Sequence, residues 1–245
     1  MMLQLANKDM GALFRIGVDD WAAINRRVRD VLRAEYISWI VTRSLPAYPV
    51  LLQHCKTWPT MFRGIRELSI AIAAYADGAV RDFSALLAEV KQIRAAGGQL
   101  PDTLVASARA KMQTLKERTA LLAVGFDQIS YELGAFLDAN REVDKQIAGG
   151  GVVTWALVNH QAAQMESALE KATGQWRAVT DDLHTAVSLP VDAMLPLLEI
   201  AELETAVDVW RNLRDECNAF PASMAEQLDY WERPKSFFET SKQSP

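Results

Sequence analysis

The sequence predicts an all-α protein, an elongated antiparallel bundle of about five helices, two or three of them very long. Three consecutive stretches carry apolar residues at alternating steps of four and three, the repeat of helices that wind around each other. Glycines separate these stretches, at Gly97-Gly98 and at Gly149-Gly150-Gly151. No segment shows convincing alternation of apolar and polar residues with a period of two, so we expect no β-sheet.

The first predicted helix runs from about Asp19 to Thr42, after residues 1–16, which we expect to be loosely structured. Its apolar side comprises Trp21, Ile24, Val28, Val31, Leu32, Tyr36 and Trp39. Four arginines share this helix with acidic residues, and we interpret them as a solvated face of mixed charge rather than a lipid or phosphate site. They are Arg26, Arg27, Arg29 and Arg33.

The second predicted helix contains the first heptad seam, in which only Ser69 is polar. The seam comprises Leu51, Cys55, Trp58, Phe62, Ile65, Ser69, Ile72, Ala76, Ala79, Phe83, Leu86, Val90 and Ile93. Pro59 lacks the N–H that a continuous helix would use, so we place the helix start at Thr57, which could cap it. The alternative is one helix from residue 50 that kinks at Pro59.

The third and fourth predicted helices carry the second and third seams. Residues 102–148 contain no proline, so the third helix would reach about 70 Å at 1.5 Å per residue. Its seam comprises Val105, Ala108, Met112, Leu115, Thr119, Leu122, Phe126, Ile129, Leu133, Phe136, Asn140, Val143 and Ile147. The fourth helix has Trp155, Val158, Ala162, Met165, Leu169, Ala172, Trp176, Val179, Leu183 and Ala186.

Glycine and proline residues mark where these helices end and begin. Gly97-Gly98 stops one helix and Pro101-Asp102 starts the next, so the second and third helices should run antiparallel. Leu189-Pro190 ends the fourth helix, and Pro196 suits the first turn of a fifth. The fifth helix carries Ile200, Leu203, Val207, Trp210, Leu213 and Cys217.

The end of the chain should be less regular. Pro221 ends or bends the fifth helix, residues 222–231 could form a short extra helix, and residues 232–245 should fray. Helices this long leave no place for a boundary, so we expect a single domain over residues 1–245.

Composition narrows the classes of function. A net charge of −5 gives no electrostatic footprint for nucleic acid or an anionic membrane surface. Cys55 and Cys217 fall on apolar helical positions, where a thiol packs as a small hydrophobe. No phosphate loop, nucleophile elbow or metalloprotease motif is present, and we expect a non-enzymatic protein with no cofactor, no metal and no small-molecule substrate.

Three features have both a structural and a functional interpretation. Asp181 and His184 have the spacing of half a di-iron motif, but one copy favours an exposed histidine. Thr119 and Asn140 are polar members of the second seam, and register control or exposure at the seam edge explains them equally well. The acidic residues of the fifth helix are most simply a solvated face. They are Glu199, Glu202, Glu204 and Asp208.

The turn between the third and fourth helices is the most suggestive segment, because residues 146–165 carry no formal charge with His160 neutral. It would pack against neighbouring helices, or it would touch a partner or a membrane surface. We predict a contact tip made of Gly149, Gly150, Gly151, Val152, Val153, Trp155, Leu157 and Val158. A helical hairpin across a bilayer would need two apolar segments of roughly 20 residues, which this turn does not provide.

This layout resembles the α-helical pore-forming toxins of the cytolysin A and haemolysin BL type. The resemblance covers nearly the whole chain as a pattern, and three segments carry it most closely. They are PVLLQHCKTW at 49–58, IAIAAYA at 70–76 and AVDVW at 206–210. The resemblance implies a tail-like bundle without a developed β-tongue or head, because the tongue expected at residues 147–157 is reduced to three glycines and a short apolar run.

The closest match within that family is a small accessory component of a motility-associated killing factor-type toxin. The resemblance implies partners that are other helical toxin subunits, with a membrane surface as a further contact. It also implies synthesis as a soluble chain in a bacterial cytoplasm, and without an apolar signal-peptide core any export would be non-classical. The alternatives are an intracellular helical scaffold or chaperone-like adaptor and, last, a degenerate metalloenzyme bundle.

Overall fold

The computed structural model describes residues 8–34, 45–148 and 156–232. These residues form helices and turns, with no strand among them, so the all-α prediction is confirmed. A 3₁₀ helix, Lys8–Arg15, precedes α1 (Val18–Ala34), and the long helices are α2 (Tyr48–Ala95), α3 (Asp102–Ala148) and α4 (Ala156–Ser188). The chain continues through α5 (Val191–Met194), a 3₁₀ turn (Leu195–Leu198), α6 (Ile200–Ser223) and α7 (Ala225–Glu232).

The long helices pack antiparallel, as predicted. Along each pair the residue number rises on one helix while that of its partner falls. Between α2 and α3 the pairs are Ala47 with Gln146, Tyr75 with Thr119 and Asp82 with Lys111. Between α3 and α4 they are Asp127 with Arg177, Ser130 with Thr173 and Arg141 with Glu166. Between α2 and α6 they are Asp77 with Arg214 and Lys91 with Glu204.

The backbone conformation of the turn from α2 to α3 accounts for the presence of glycine there. Gly97 has φ +70°, a left-handed conformation that residues with a Cβ rarely adopt. The amide of Gly97 donates to the carbonyl of Arg94, and that of Gly98 donates to the carbonyl of Ile93. This is the Schellman arrangement that satisfies the last carbonyls of a helix.

The three heptad seams form the core. Every seam residue whose side chain the structure describes is buried, apart from Ile93, which is partly buried. The α2 and α3 helices are 48 and 47 residues long, so each extends about 70 Å. The 3.5-residue repeat therefore predicted correctly which side of each long helix faces inward.

A chain of aromatic rings runs through this core and joins the 3₁₀ helix to five α-helices. Each ring lies within ordinary contact distance of the next, mostly in tilted or edge-to-face geometry. In order the ten rings are Trp210, Tyr75, Trp176, Phe126, Phe14, Phe220, Trp21, Phe62, Trp58 and Phe136.

The predicted helix start at Thr57 is wrong, because α2 is continuous from Tyr48 and contains Pro59. Thr57 does not cap a helix: its hydroxyl donates back to the carbonyl of His54 at 3.0 Å. Leu51 and Cys55, upstream of the proline, are fully buried on the same seam. Burial of that upstream turn outweighs the one backbone hydrogen bond that proline removes.

Pro196 also differs from prediction. Pro196 lies in the 3₁₀ turn Leu195–Leu198 and not in the first turn of the fifth helix, which begins at Ile200. Leu198 is fully buried, so the extra turn is fastened to the core before α6 starts. Pro221 lies inside α6, which continues to Ser223, and the predicted short helix follows as α7.

The expectation that residues 1–16 are loosely structured is wrong for Lys8–Arg15. This segment forms a 3₁₀ helix in which Met10 and Leu13 are fully buried. A 3₁₀ helix repeats every three residues, so Met10 and Leu13 share one side. The segment packs between α4 and α6, which explains why an apolar sequence without heptads is ordered.

Candidate functional site

Most of the predicted contact tip lies outside the described residues. This holds for Gly149, Gly150, Gly151, Val152, Val153 and Trp155. Leu157 and Val158 belong to the first turn of α4, where the backbone is described and these side chains are not. The tip stays a prediction, in a segment that joins two antiparallel helices.

The described residues reveal another apolar surface, on the outward side of α3. Leu121 is 75% exposed, Val124 66% and Tyr131 79%, and these three are the most exposed large apolar side chains in the described ranges. Spacings of three and seven place them on one side of a helix. We call these three residues the outer face. The opposite side of the same turns carries the buried Leu122 and Phe126.

Polar groups border the outer face and have partners of their own. Asp127 accepts from Arg177 of α4 at 2.7 Å, and Gln128 donates to Glu132 at 3.2 Å. A partner covering the outer face would therefore bury apolar side chains while these groups stay at the rim. Sequence reasoning missed this surface, although the signal was present: large apolar residues recur off the seam of a helix whose seam is already filled.

A buried polar cluster ties α1 to α3. Arg27 Nε donates to Asn140 Oδ1 at 3.1 Å, Asn140 Nδ2 donates to Asp144 Oδ2 at 3.3 Å, and Arg27 Nη2 lies 3.6 Å from Asp144 Oδ1. The Arg27 side chain is only 8% exposed, so its assignment to a solvated face is wrong. Burial lowers the pKa of Arg27 to about 10, opposed by the Asp144 carboxylate.

The two polar seam residues are buried and hydrogen-bonded. Asn140 is part of the cluster with Arg27, and Thr119 Oγ1 lies 2.5 Å from Tyr75 Oη while donating to the carbonyl of Leu115 at 2.8 Å. Exposure at the seam edge is thereby excluded for both. Their specific partners on α1 and α2 favour a role in fixing which helices meet and in which register.

A third polar contact fastens the C-terminal helix. Asn25 Oδ1 of α1 accepts from Trp58 Nε1 of α2 and from Trp231 Nε1 of α7, both at 2.8 Å. Arg29 lies over the Tyr230 ring, 4.5 Å from its centroid. One side-chain oxygen of α1 thus bonds to the next helix, α2, and to α7, which lies about 200 residues later.

Among the described residues, the candidate thiol, histidine and acidic groups do not form a metal-binding cluster. Burial raises the pKa of Cys55 to about 12 and raises the pKa of Cys217 as well, so neither thiol is a ready nucleophile. His184 is exposed, and no group of three or more possible ligands comes together anywhere in the described ranges. In the acidic residues of α6, Glu204 pairs with Lys91 at 2.7 Å and Asp208 pairs with Arg211 at 2.6 Å.

None of the helices in the described ranges has an apolar stretch long enough to cross a bilayer. Comparison with protein-family models, with curated proteins and with solved structures found no match to this chain.

Proposed function

We propose that this chain is a non-enzymatic component of a multipart α-helical toxin, which acts by binding other helical subunits rather than by lining a pore alone. The observation that carries the proposal is the outer face of α3, with Leu121, Val124 and Tyr131 each at least 66% exposed. The resemblance of the heptad layout to cytolysin A-type chains supplies the class of assembly.

The outer face has the chemistry of a helix-docking surface. Aromatic and aliphatic side chains in one row present a ridge that a partner helix can pack against. Full burial of such a side chain contributes roughly 1.5–3 kcal/mol. Because the core uses the opposite side of α3, a partner can dock there without opening the bundle.

The predicted tip adds a second contact in this proposal. Gly149 to Val158 would touch the partner or a membrane surface at the end of the bundle, and its brevity is the reason for assigning pore lining to the partner subunits. A helical scaffold or chaperone-like adaptor is the second candidate. The position of the outer face along the side of α3 favours it equally, because a lateral contact does not require a membrane.

Dye release from liposomes tests the proposal. Wild type would be added alone and together with co-transcribed helical subunits. It is compared with the variant L121S/V124S/Y131S and with the control variant V50S/I70S/V191S, which removes exposed apolar side chains of α2 and α5. We expect no release by the chain alone, release in the mixture, and loss of that release only in the outer-face variant.

Each outcome has a separate meaning. Release by the chain alone would contradict the accessory role. Binding of a co-transcribed protein through the outer face without any release would favour the scaffold. Equal behaviour of both triple variants in binding and in release would overturn the role of the outer face.

A further inference from the structure

The N-terminal 3₁₀ helix, Lys8–Arg15, lies as a wedge between α4 and α6. On the α4 side, Trp176 Nε1 donates to the carbonyl of Met10 at 3.2 Å. The Phe14 ring lies 6.2 Å from that of Phe126 and 5.3 Å from that of Phe220, measured between centroids. Together with the full burial of Leu13, these contacts show that the segment is held in place by α3, α4 and α6.

The α6 side of the cleft is in close contact with this segment. Arg15 Nη1 donates to Glu216 Oε1 at 3.2 Å across the rim of the cleft. A Cβ added at Gly11 would collide with the Glu216 carboxylate and would lie 3.1 Å from Leu213 Cδ1. Glycine at this position therefore leaves the Glu216 carboxylate where it pairs with Arg15.

The conformation of the segment depends on the cleft. Runs of 3₁₀ helix longer than three or four residues are uncommon, because their hydrogen bonds are poorly aligned, yet this one has eight residues. Its extensive contacts are with α4 and α6, two helices that follow it by more than 100 residues, and not with α1, which comes next. The segment thus packs on distant parts of the chain rather than on the helix that follows it.

The attachment is short and the cleft is not full. Only Ile16 and Gly17 separate the segment from α1, and the carbonyl of Gly17 accepts the first amides of that helix, from Asp20 and Trp21. An open groove of about 430 Å³ remains beside the segment. It is lined by Asp9, Ala12, Arg15, Gln164, Ser167, Ala168 and Lys171. The ion pair from Arg15 to Glu216 at the rim joins side chains that are 37% and 31% exposed, so it contributes little in water.

We propose that this segment exchanges between copies of the chain, so that Lys8–Arg15 of one copy occupies the α4/α6 cleft of a second copy. Rotation at Ile16-Gly17 releases it while α1 stays on its own bundle. Every contact made within one chain is then remade between two chains, so the dimer needs no new complementary surface. This inference is independent of the toxin proposal, because it concerns only two copies of the same chain.

Introduced cysteines test the exchange by disulfide trapping, in a C55A/C217A background that removes the native thiols. Gly11→Cys would be prepared in a chain that also carries Glu216→Ala, so that the new side chain meets no carboxylate in its own cleft. This chain and a separate Glu216→Cys chain would be mixed at several hundred micromolar and oxidised. A disulfide that joins the two introduced thiols across different chains, identified by peptide mass, requires one segment in the other cleft. We expect at least ten times more of it than in the control mixture, whose second chain carries Glu202→Cys together with Glu216→Ala; Glu202 is a half-buried residue two heptads away on α6.

Two further measurements make every result decisive. The double variant G11C/E216C should close the disulfide within one chain when diluted; if it closes there and the mixed dimer does not exceed the control, the exchange is overturned. Light scattering of wild type up to the same concentration should show dimers that the Phe14→Ser variant loses. A wild type that stays monomeric would overturn the proposal whatever the cysteines do.

Discussion

Arg27 of α1 and Asp144 of α3 form an ion pair inside the protein, with Nη2 3.6 Å from Oδ1 and both side chains only 8% exposed. Asn140 completes the cluster by accepting from Arg27 and donating to Asp144. Such a pair has lost most of its hydration, so its attraction is largely offset by the cost of removing two charges from water. The pair contributes to the specificity of helix packing, because it selects which side of α1 meets α3.

Removal of one partner should be far more damaging than removal of the whole cluster. We expect Asp144→Ala to lower the free energy of unfolding by about 3–5 kcal/mol, since the Arg27 guanidinium would stay buried without its counter-charge. The triple variant R27M/N140L/D144L leaves no polar side chain of the cluster buried without a partner, so it should lie close to wild type, measured by urea unfolding followed by circular dichroism. A triple variant as unstable as Asp144→Ala would contradict this account.

A second test uses an uncharged hydrogen bond, the one between the hydroxyls of Tyr75 and Thr119. Their oxygens lie 2.5 Å apart between α2 and α3, and both residues are buried. We expect Thr119→Val to cost about 1–3 kcal/mol, because the Tyr75 hydroxyl loses its buried partner. In the double variant Y75F/T119V no hydroxyl is left unsatisfied, so a double-mutant cycle should give a favourable coupling energy between the two side chains. Additive losses would mean that the hydrogen bond contributes nothing.

These pairs mark where prediction from sequence stops. The 3.5-residue repeat predicts which side of each long helix is buried, because that side is set by local spacing. The partner of a buried polar residue is not local: Arg27 looks like a surface charge until Asp144, more than 100 residues later, is placed beside it. The wedge of Met10, Leu13 and Phe14 escaped prediction because one short segment cannot display a heptad repeat.

Cys55 should make stability fall at high pH. Its pKa rises from an ordinary 9.0 to about 12 through burial, so the unfolded chain loses the thiol proton first. The stabilisation is complete below pH 9 and is lost as the pH rises towards 12. Between pH 9 and pH 10 this one thiol should account for about 1 kcal/mol. Urea unfolding of wild type and Cys55→Ala should show the steeper decline in wild type, and parallel declines would exclude Cys55 as a cause.

The last prediction concerns Asn25, whose side-chain oxygen accepts hydrogen bonds from two indoles, one on α2 and one on α7. Asn25 Oδ1 accepts from Trp58, which is 1% exposed, and from Trp231, which is only partly buried. Water can replace the partner of Trp231 but not that of Trp58, so Asn25→Ala should cost about 1–3 kcal/mol, mainly at Trp58.

A pair of control variants separates the two bonds of Asn25. Trp231→Phe removes the half-exposed donor and keeps an aromatic ring, so we expect a loss below about 1 kcal/mol. In a Trp58→Phe background, Asn25→Ala should lower the free energy of unfolding by less than it does in wild type, because no indole at position 58 is left without a partner. If Asn25→Ala costs the same in both backgrounds, the Asn25–Trp58 hydrogen bond is not what holds α1 against α2. A small loss in Trp231→Phe would mean that the docking of α7 rests mainly on packing, including that of Arg29 over the Tyr230 ring.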